Sequence, residues 1–260
     1  MKCSLCIPTY KRPETLNMLL SSIIGMNDNR IAEILIGISY KEEFSINKNT
    51  RHLLRILEIQ NIPYFICNNL NGLLAAKKWF KTKASQDILL IIDDDCIINK
   101  NYLNLLNFFD DTTVVAISGS LQTPLNINYY KDYSYDPIEA PSDKILCNKI
   151  QVDENGLVVI KDKYQVYMLN KSLLYKCECL IGTAMFIRKN YLKIDENYNN
   201  GACNYEEIDY TYSLYKQGKI LLFYSGEIAF HLHENIGGMR EAESKQKKKN
   251  SDYFKKKYDL

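Results

Sequence analysis

Residues 87–98 read Asp-Ile-Leu-Leu-Ile-Ile-Asp-Asp-Asp-Cys-Ile-Ile, an apolar stretch that stops at three consecutive carboxylates, Asp93, Asp94 and Asp95. A run this short and β-branched suits a strand buried on both faces of a parallel sheet. Ligands of open α/β sheets gather at the carboxyl ends of such strands. Three adjacent carboxylates there repel one another unless positive charge neutralises them, and a divalent cation is the economical source. In an extended segment alternate residues share a side, so Asp93 and Asp95 face one ligand and Asp94 faces away. Hard oxygen donors in this pattern favour Mg2+ or Mn2+, ions that keep positions open for substrate phosphates. A solvated acidic turn is the blander reading, and the apolarity of the strand argues against it.

The flanking sequence alternates strands with helices. Residues 3–9 form a first strand, and Pro13 opens a helix with Leu16, Leu19, Leu20 and Ile23 on one face. A second strand at 33–39, a helical segment around 44–60 and a third strand at 63–68 follow. Gly72 then precedes a helix carrying Leu74, Ala75 and Trp79, the acidic strand comes fourth, and a fifth falls at 113–119. This order specifies an α/β fold, a Rossmann-like, mostly parallel central sheet with right-handed crossovers and flanking helices. No Gly-x-Gly-x-x-Gly or Gly-x-x-x-x-Gly-Lys-Ser/Thr loop is present, so phosphate must be held another way.

Residues 124–176, rich in Tyr, Asn, Asp and Lys, read as an insertion of the lid or binding-loop kind. Order returns at Gly182-Thr183-Ala184-Met185-Phe186-Ile187, then in a helix at 205–217 closed by Gly218, and in strands at 219–224 and 227–233. The expected organisation is one domain over 1–235. Its halves, 1–119 and 120–235, would bind donor and acceptor, and a basic tail occupies 236–260.

The formal net charge of +2 and the lack of interleaved basic and aromatic residues argue against a nucleic-acid partner. No apolar run approaches the roughly 18 residues of a membrane span, and no signal-peptide pattern opens the chain, so a cytoplasmic location is expected. Several of the eight cysteines, Cys6, Cys67 and Cys96 among them, lie in apolar strands, where reduced thiols serve as small hydrophobes. Cys3 and Cys6 point to opposite faces of a strand and cannot share zinc. In the tail, Lys245, Lys247–249 and Lys255–257 form either a solvated helical or disordered end or a surface for anionic lipid at the inner face of the plasma membrane.

A second acidic cluster, Tyr205-Glu206-Glu207-Ile208-Asp209-Tyr210, begins the late helix. One of its carboxylates can serve as a general base if burial or neighbouring charge raises its pKa towards the working pH. A purely structural account also exists, with Asn204 as amino-terminal cap and Glu207 three positions on as in a capping box. His231 and His233 lie at alternate positions near a strand end and share a side, which suits a metal-ligand role for one of them, His231 preferred.

Together these segments resemble the inverting nucleotide-sugar glycosyltransferases of family 2, which have the GT-A fold, from residue 4 to about 235. The signature Ile7-Pro8-Thr9-Tyr10-Lys11-Arg12-Pro13-Glu14-Thr15-Leu16 matches the first strand, nucleotide-contacting turn and first helix. The resemblance implies donor contacts from Pro8, Thr9, Tyr10 and Arg12, and from Asn69 and Gly72 in the turn after the third strand. It implies Asp95 as direct metal ligand, Asp93 near the ribose or a metal-bound water, and Asp94 beside them. Glu206-Glu207-Ile208-Asp209 resembles the family's Glu-Asp-x-Asp segment, with Glu207 as base and Glu206, Asp209 and Thr183 near substrate. A histidine after the following strands suits His231 or His233. Where the second strand usually ends in a base-contacting aspartate, this chain has Ser39 and Tyr40. The implied activity is transfer of a sugar, from a UDP-sugar first of all, to a saccharide or lipid-linked acceptor in bacterial surface polysaccharide or glycolipid synthesis. An inactive nucleotide- or sugar-binding module on the same fold is the alternative.

Overall fold

The computed structural model describes residues 1–122, 146–162, 172–198, 205–232 and 244–260. Its amino-terminal part alternates as the sequence pattern requires: β1 (Cys3–Thr9), α1 (Pro13–Met26), β2 (Ile31–Ile38), α2 (Lys48–Ile59), β3 (Tyr64–Cys67), α3 (Gly72–Lys83) and β4 (Ile88–Ile92). These strands pair in the parallel order β3-β2-β1-β4. The helical segment expected around 44–60 is α2, preceded by a short 3-10 turn at Glu42–Phe44 and started by a reciprocal capping box of Asn47 and Thr50.

The chain then adds β5 (Cys96–Ile98), a 3-10 segment Lys100–Asp110, β6 (Val114–Gln122), β7 (Leu146–Cys147), β8 (Lys149–Val152), β9 (Val158–Lys161), β10 (Leu174–Cys177) and β11 (Ala184–Arg188). Helix α4 (Glu206–Lys216), strand β12 (Ile220–His231) and helix α5 (Ser244–Tyr258) complete it. The sheet continues β4-β11-β6-β12-β10-β7, and β11 runs antiparallel to both of its neighbours. The sheet is thus wholly parallel through β4 and mixed beyond it. The described part of the 124–176 insertion is ordered: β8 and β9 form a hairpin, and β10 joins the main sheet.

Alternation along the central strands sorts the core into two layers. Leu5, Ile7, Leu90 and Ile92 face α1 with Leu16 and Leu20, whereas Cys6, Leu89 and Ile91 face α3 and α4 with Phe80, Tyr210 and Leu214. Helices α3 and α4 therefore share one face of the sheet, although about 130 residues separate them in sequence. The two strands expected at 219–224 and 227–233 are one strand, β12, whose pairing with β6 shifts register between Tyr224 and Ile228. A Cβ at Gly226 would lie 2.6 Å from the Tyr224 ring, so glycine lets the strand pass this irregularity. That local break is why the sequence reads as two runs.

The described part of the basic carboxyl-terminal segment is helical and packs on the rest of the chain. Helix α5 buries Phe254 against Tyr205 and Tyr212, and Ser251 Oγ accepts a hydrogen bond from Val158 N at 2.8 Å. Among the described residues no helix is long and apolar enough to cross a membrane.

At the amino end of the parallel strands, Glu33 is buried and accepts hydrogen bonds from Ser4 Oγ (2.6 Å), Ser85 N (2.6 Å) and Ser85 Oγ (2.7 Å). Burial alone raises its carboxyl pKa, but the Ser4 and Ser85 donors outweigh it and hold the group below its usual range. A carboxylate depressed in the folded state adds stability above its unfolded pKa, and that stability is lost as pH falls through the folded value. Unfolding measured against pH should show an acid limb below about pH 4 that is shallower in Glu33→Gln. At neutral pH the variant should lose about 1–3 kcal/mol.

Candidate active site

Strand β4 is buried along its whole length and ends at Ile92; the chain then turns, with Cys96 N donating to Asp93 O at 3.1 Å. The acidic triplet is therefore a tight turn between β4 and β5, not an extended segment. The turn still separates the three side chains. Asp94 points back to β1, where Thr9 Oγ1 donates to it at 2.6 Å. Asp93, Asp95 and His231 converge instead, with one potential ligand atom from each within 4.8 Å of the others.

Pairing delivers the histidine. Strand β5 runs antiparallel to the end of β12, with His231 opposite Cys96, and Leu232 N donates to Asp95 O at 2.8 Å. His231 Nε2 lies 3.3 Å from Asp95 Oδ1. His233 falls outside the described residues.

Arg12 supplies positive charge to the turn. It sits at the amino-terminal cap of α1, just before Pro13, and its guanidinium bridges Asp94 (2.7 Å) and Asp95 (2.8 Å). The preceding Lys11 adopts a left-handed φ of 55°, which reverses the chain between β1 and α1. Asp94 and Asp95 are fully buried. Burial pushes the Asp94 carboxyl up to about 7 against the opposing pull of Arg12 and Thr9. Burial, then the Asp95 charge, raises Asp93 to about 6. One guanidinium shared by three carboxylates leaves a net negative turn. Two carboxylates and an imidazole on its open side fit a hard or borderline divalent cation such as Mg2+ or Mn2+.

The other implied donor contacts collect on the same rim, at the carboxyl ends of β1, β2 and β3. Pro8 pairs with Gly37, and Ser39 N donates to Thr9 O at 3.0 Å. The Tyr10 and Tyr40 rings meet edge to face at 6.0 Å, and Lys11 Nζ stands 4.4 Å from the Tyr40 ring centre. Asn69 (φ 56°) and Gly72 (φ 78°) both take left-handed backbone conformations in the turn that enters α3. Thr183 O accepts from Asp93 N at 2.9 Å and so adjoins the acidic turn through its backbone.

The second acidic cluster divides in three. Tyr205 caps α4 with a left-handed φ of 88° and no side-chain cap bond, which makes Glu207 the second helical residue and removes it from the expected capping box. Asn204 lies outside the described residues. Glu206 is buried against Lys77 of α3 at 2.8 Å. Asp209 turns the other way, accepting from Tyr198 Oη (3.0 Å), Lys257 Nζ (2.8 Å) and Tyr258 Oη (3.0 Å), and so anchors α5 instead of facing the rim. Glu207 is half-buried, and among the described residues its Oε2 has no hydrogen-bond partner. Burial first, then the Glu206 charge, push its carboxyl well above the usual range, with Lys77 opposing. A Cβ on Gly182 would lie 2.9 Å from the Glu207 side chain, so Glu207 lies flat across this glycine, next to Thr183 and the Asp93 contact. The two acidic clusters thus meet across Gly182-Thr183.

Two features of this site escape the motif reading. Lys77 lies on the buried face of α3 with Leu74 and Phe80, at a three-residue spacing that marks a lysine inside an apolar stripe. Arg12 is visible as part of a turn, but its role as counter-ion to residues more than 80 positions away depends on tertiary contact.

The chain belongs to glycosyl transferase family 2, whose model matches residues 4–194. No curated protein matches it in sequence. Its architecture is the GT-A fold, shared with a crystal structure of GalNAc-T7 with UDP, GalNAc and Mn2+ at 15% identity and a TM-score of 0.70 over 98% of this chain and 48% of that one. S. aureus TarS, residues 1–349 in complex with UDP-GlcNAc, matches at 14% identity and a TM-score of 0.59 over 94% of this chain and 62% of that one. The chain therefore spans about half the length of GalNAc-T7 and less than two thirds of that TarS fragment.

Arg12→Met should leave Asp94 buried without its cation and cost about 3–5 kcal/mol in urea unfolding with chelator present. Adding Asp94→Asn to that variant should recover part of the loss, because the neutral amide no longer needs a counter-charge. Equal stability of Arg12→Met and the wild type would show that the bridge contributes nothing.

Proposed function

We propose that the chain transfers a sugar from a nucleoside diphosphate donor, a UDP-sugar first of all, to an acceptor hydroxyl with inversion at the anomeric carbon. The observation that carries this reading is the meeting of a cation-fitting turn, Asp93, Asp95 and His231, with a half-buried, high-pKa Glu207 across Gly182-Thr183. The nucleotides bound by the two GT-A neighbours, UDP in one and UDP-GlcNAc in the other, support a uridine nucleotide.

A Mn2+ or Mg2+ ion held by Asp93, Asp95 and His231 would act as a Lewis acid that offsets the charge gathering on the leaving diphosphate. Arg12 and Thr9 hold Asp94 back, which keeps the turn in the shape that points Asp93 and Asp95 outward. Tyr10, Ser39, Tyr40, Asn69 and Gly72 line the rim where the nucleoside lies. Glu207 takes the proton of the acceptor hydroxyl as that oxygen bonds to the anomeric carbon and the bond to the diphosphate oxygen breaks, its electron pair leaving with the nucleotide. Attack opposite the leaving group inverts the centre in one step. A base with a raised pKa suits this work, since its proton affinity lies nearer that of the developing acid.

The acceptor is a saccharide or lipid-linked hydroxyl, in line with a role in surface polysaccharide or glycolipid synthesis at the inner face of the plasma membrane. Exposed lysines of α5, Lys247, Lys248 and Lys249, are available to an anionic membrane surface.

Calorimetry with UDP, dTDP, GDP and CMP, each with Mn2+, Mg2+ or chelator, should give metal-dependent binding of UDP that Asp95→Asn weakens. Glu207→Gln should reduce transfer by about 10²–10⁴-fold and leave that binding intact. Wild-type transfer by the variant would remove Glu207 from the mechanism, and absence of binding by every nucleotide would overturn the assignment.

A further inference from the structure

Glu206 and Glu207 are adjacent carboxylates at the start of one helix, and a sequence motif alone does not say which is the base. Their surroundings differ sharply. Glu206 is 3% exposed, and its Oε1 receives Lys77 Nζ at 2.8 Å. Lys77 is itself 3% exposed and lies 5.4 Å from the centre of the Tyr210 ring, one turn further along α4. The ammonium is thus enclosed by a carboxylate and an aromatic face, both from α4. Glu207 shares neither contact; Oε2 of each carboxylate lacks a hydrogen-bond partner among the described residues, so the bond to Lys77 is what tells the two apart.

We propose that Lys77 is the positioning residue that assigns the roles of this pair: by claiming Glu206 in a buried ion pair it leaves Glu207 as the basic carboxylate. The inference rests on the transferase reading for its purpose, but its content concerns only side chains of this chain. A buried ammonium fully enclosed by neighbours is costly unless its counter-charge is fixed, so the pair also sets the entry of α4 against α3.

The groups that act on Glu207 are Glu206 on its own helix and Lys77 from α3. Tyr205 and Tyr210 on α4 respond to its charge, and Asp93, on the turn after β4, also responds to Lys77. Lys77 is therefore the cation that links both acidic clusters. Its loss favours the protonated form of Glu207, and the loss of the Glu206 charge favours the ionised form. These opposite signs distinguish an electrostatic role from simple support of the helix, which would shift neither in a defined direction.

The test is an infrared titration of the protonated carboxyl band, identified as that of Glu207 by its disappearance in Glu207→Gln. Lys77→Met should move the midpoint to higher pH and Glu206→Gln to lower pH, whereas Lys77→Arg should keep it near the wild-type value. Transfer at neutral pH should fall about tenfold in Lys77→Met and recover as pH is raised. If Lys77→Met does not fold, the direction of the Glu206→Gln shift decides the matter. A midpoint unmoved in a folded variant, or one moved in the opposite direction, would overturn the proposal. The titration needs no turnover, so its outcome is separate from that of the nucleotide calorimetry that tests the transferase reading.

Discussion

The bridge from Arg12 to Asp94 and Asp95 is the interaction on which the site depends. It spans 83 residues of sequence between Arg12 and Asp95, joining the turn after β1 to the turn after β4. Adjacent parallel strands bring these turns together, but without a cation their shared rim would be a concentration of buried negative charge. The guanidinium matches the geometry because its planar fork reaches two carboxylates at once. Its placement has a structural cause: Pro13 starts α1, and the left-handed Lys11 turns the chain so that residue 12 faces the acidic turn.

The second half of the chain completes what the first half begins. Strand β11 enters antiparallel between β4 and β6, carrying Gly182 and Thr183 to the end of β4. Strand β12 passes its irregularity at Gly226 and continues beyond β6 far enough to pair with β5. This extension is what sets His231 beside Asp95. Had β12 stopped at Tyr224, where its regular register with β6 ends, the acidic turn would have no imidazole. The same strands carry the core layer that seats α4 beside α3, so the cation-fitting turn and the Glu207 helix are positioned by one sheet.

Much of this was legible in the sequence because local patterns encode it. The apolar run into Asp93, the Pro13 helix start and the alternation of strand and helix each follow from periodicity and backbone chemistry, and each has its counterpart in the fold. The readings that went astray lay where tertiary contact overrides pattern. The acidic triplet curls into a turn because β5 must pair with β12, which no local signal announces. The structural alternative for Glu207, a capping box from Asn204, fails because the helix starts at a strained Tyr205 whose buried side chain compensates its backbone. The lysine-rich end is a helix whose lysines are largely exposed, while Tyr253, Phe254 and Tyr258, one and four residues apart, form a packed stripe that the charge run obscures.

That carboxyl-terminal helix explains how one acidic segment serves several ends. At 3.6 residues per turn, side chains two positions apart on a helix diverge by about 200°, so Glu207 and Asp209 cannot face the same neighbour. Asp209 meets Tyr198, Lys257 and Tyr258 on the α5 side, and Glu207 lies against Gly182 on the side of the acidic turn. Glu206 is rotated from each and reaches α3. Three carboxylates within four residues therefore take three jobs through helical geometry alone: one binds the buried lysine, one anchors the last helix, and one lies against Gly182 beside the acidic turn. The segment's chemistry follows from where each acid points, and the packing of α3 and α5 on either side of α4 holds it in that orientation.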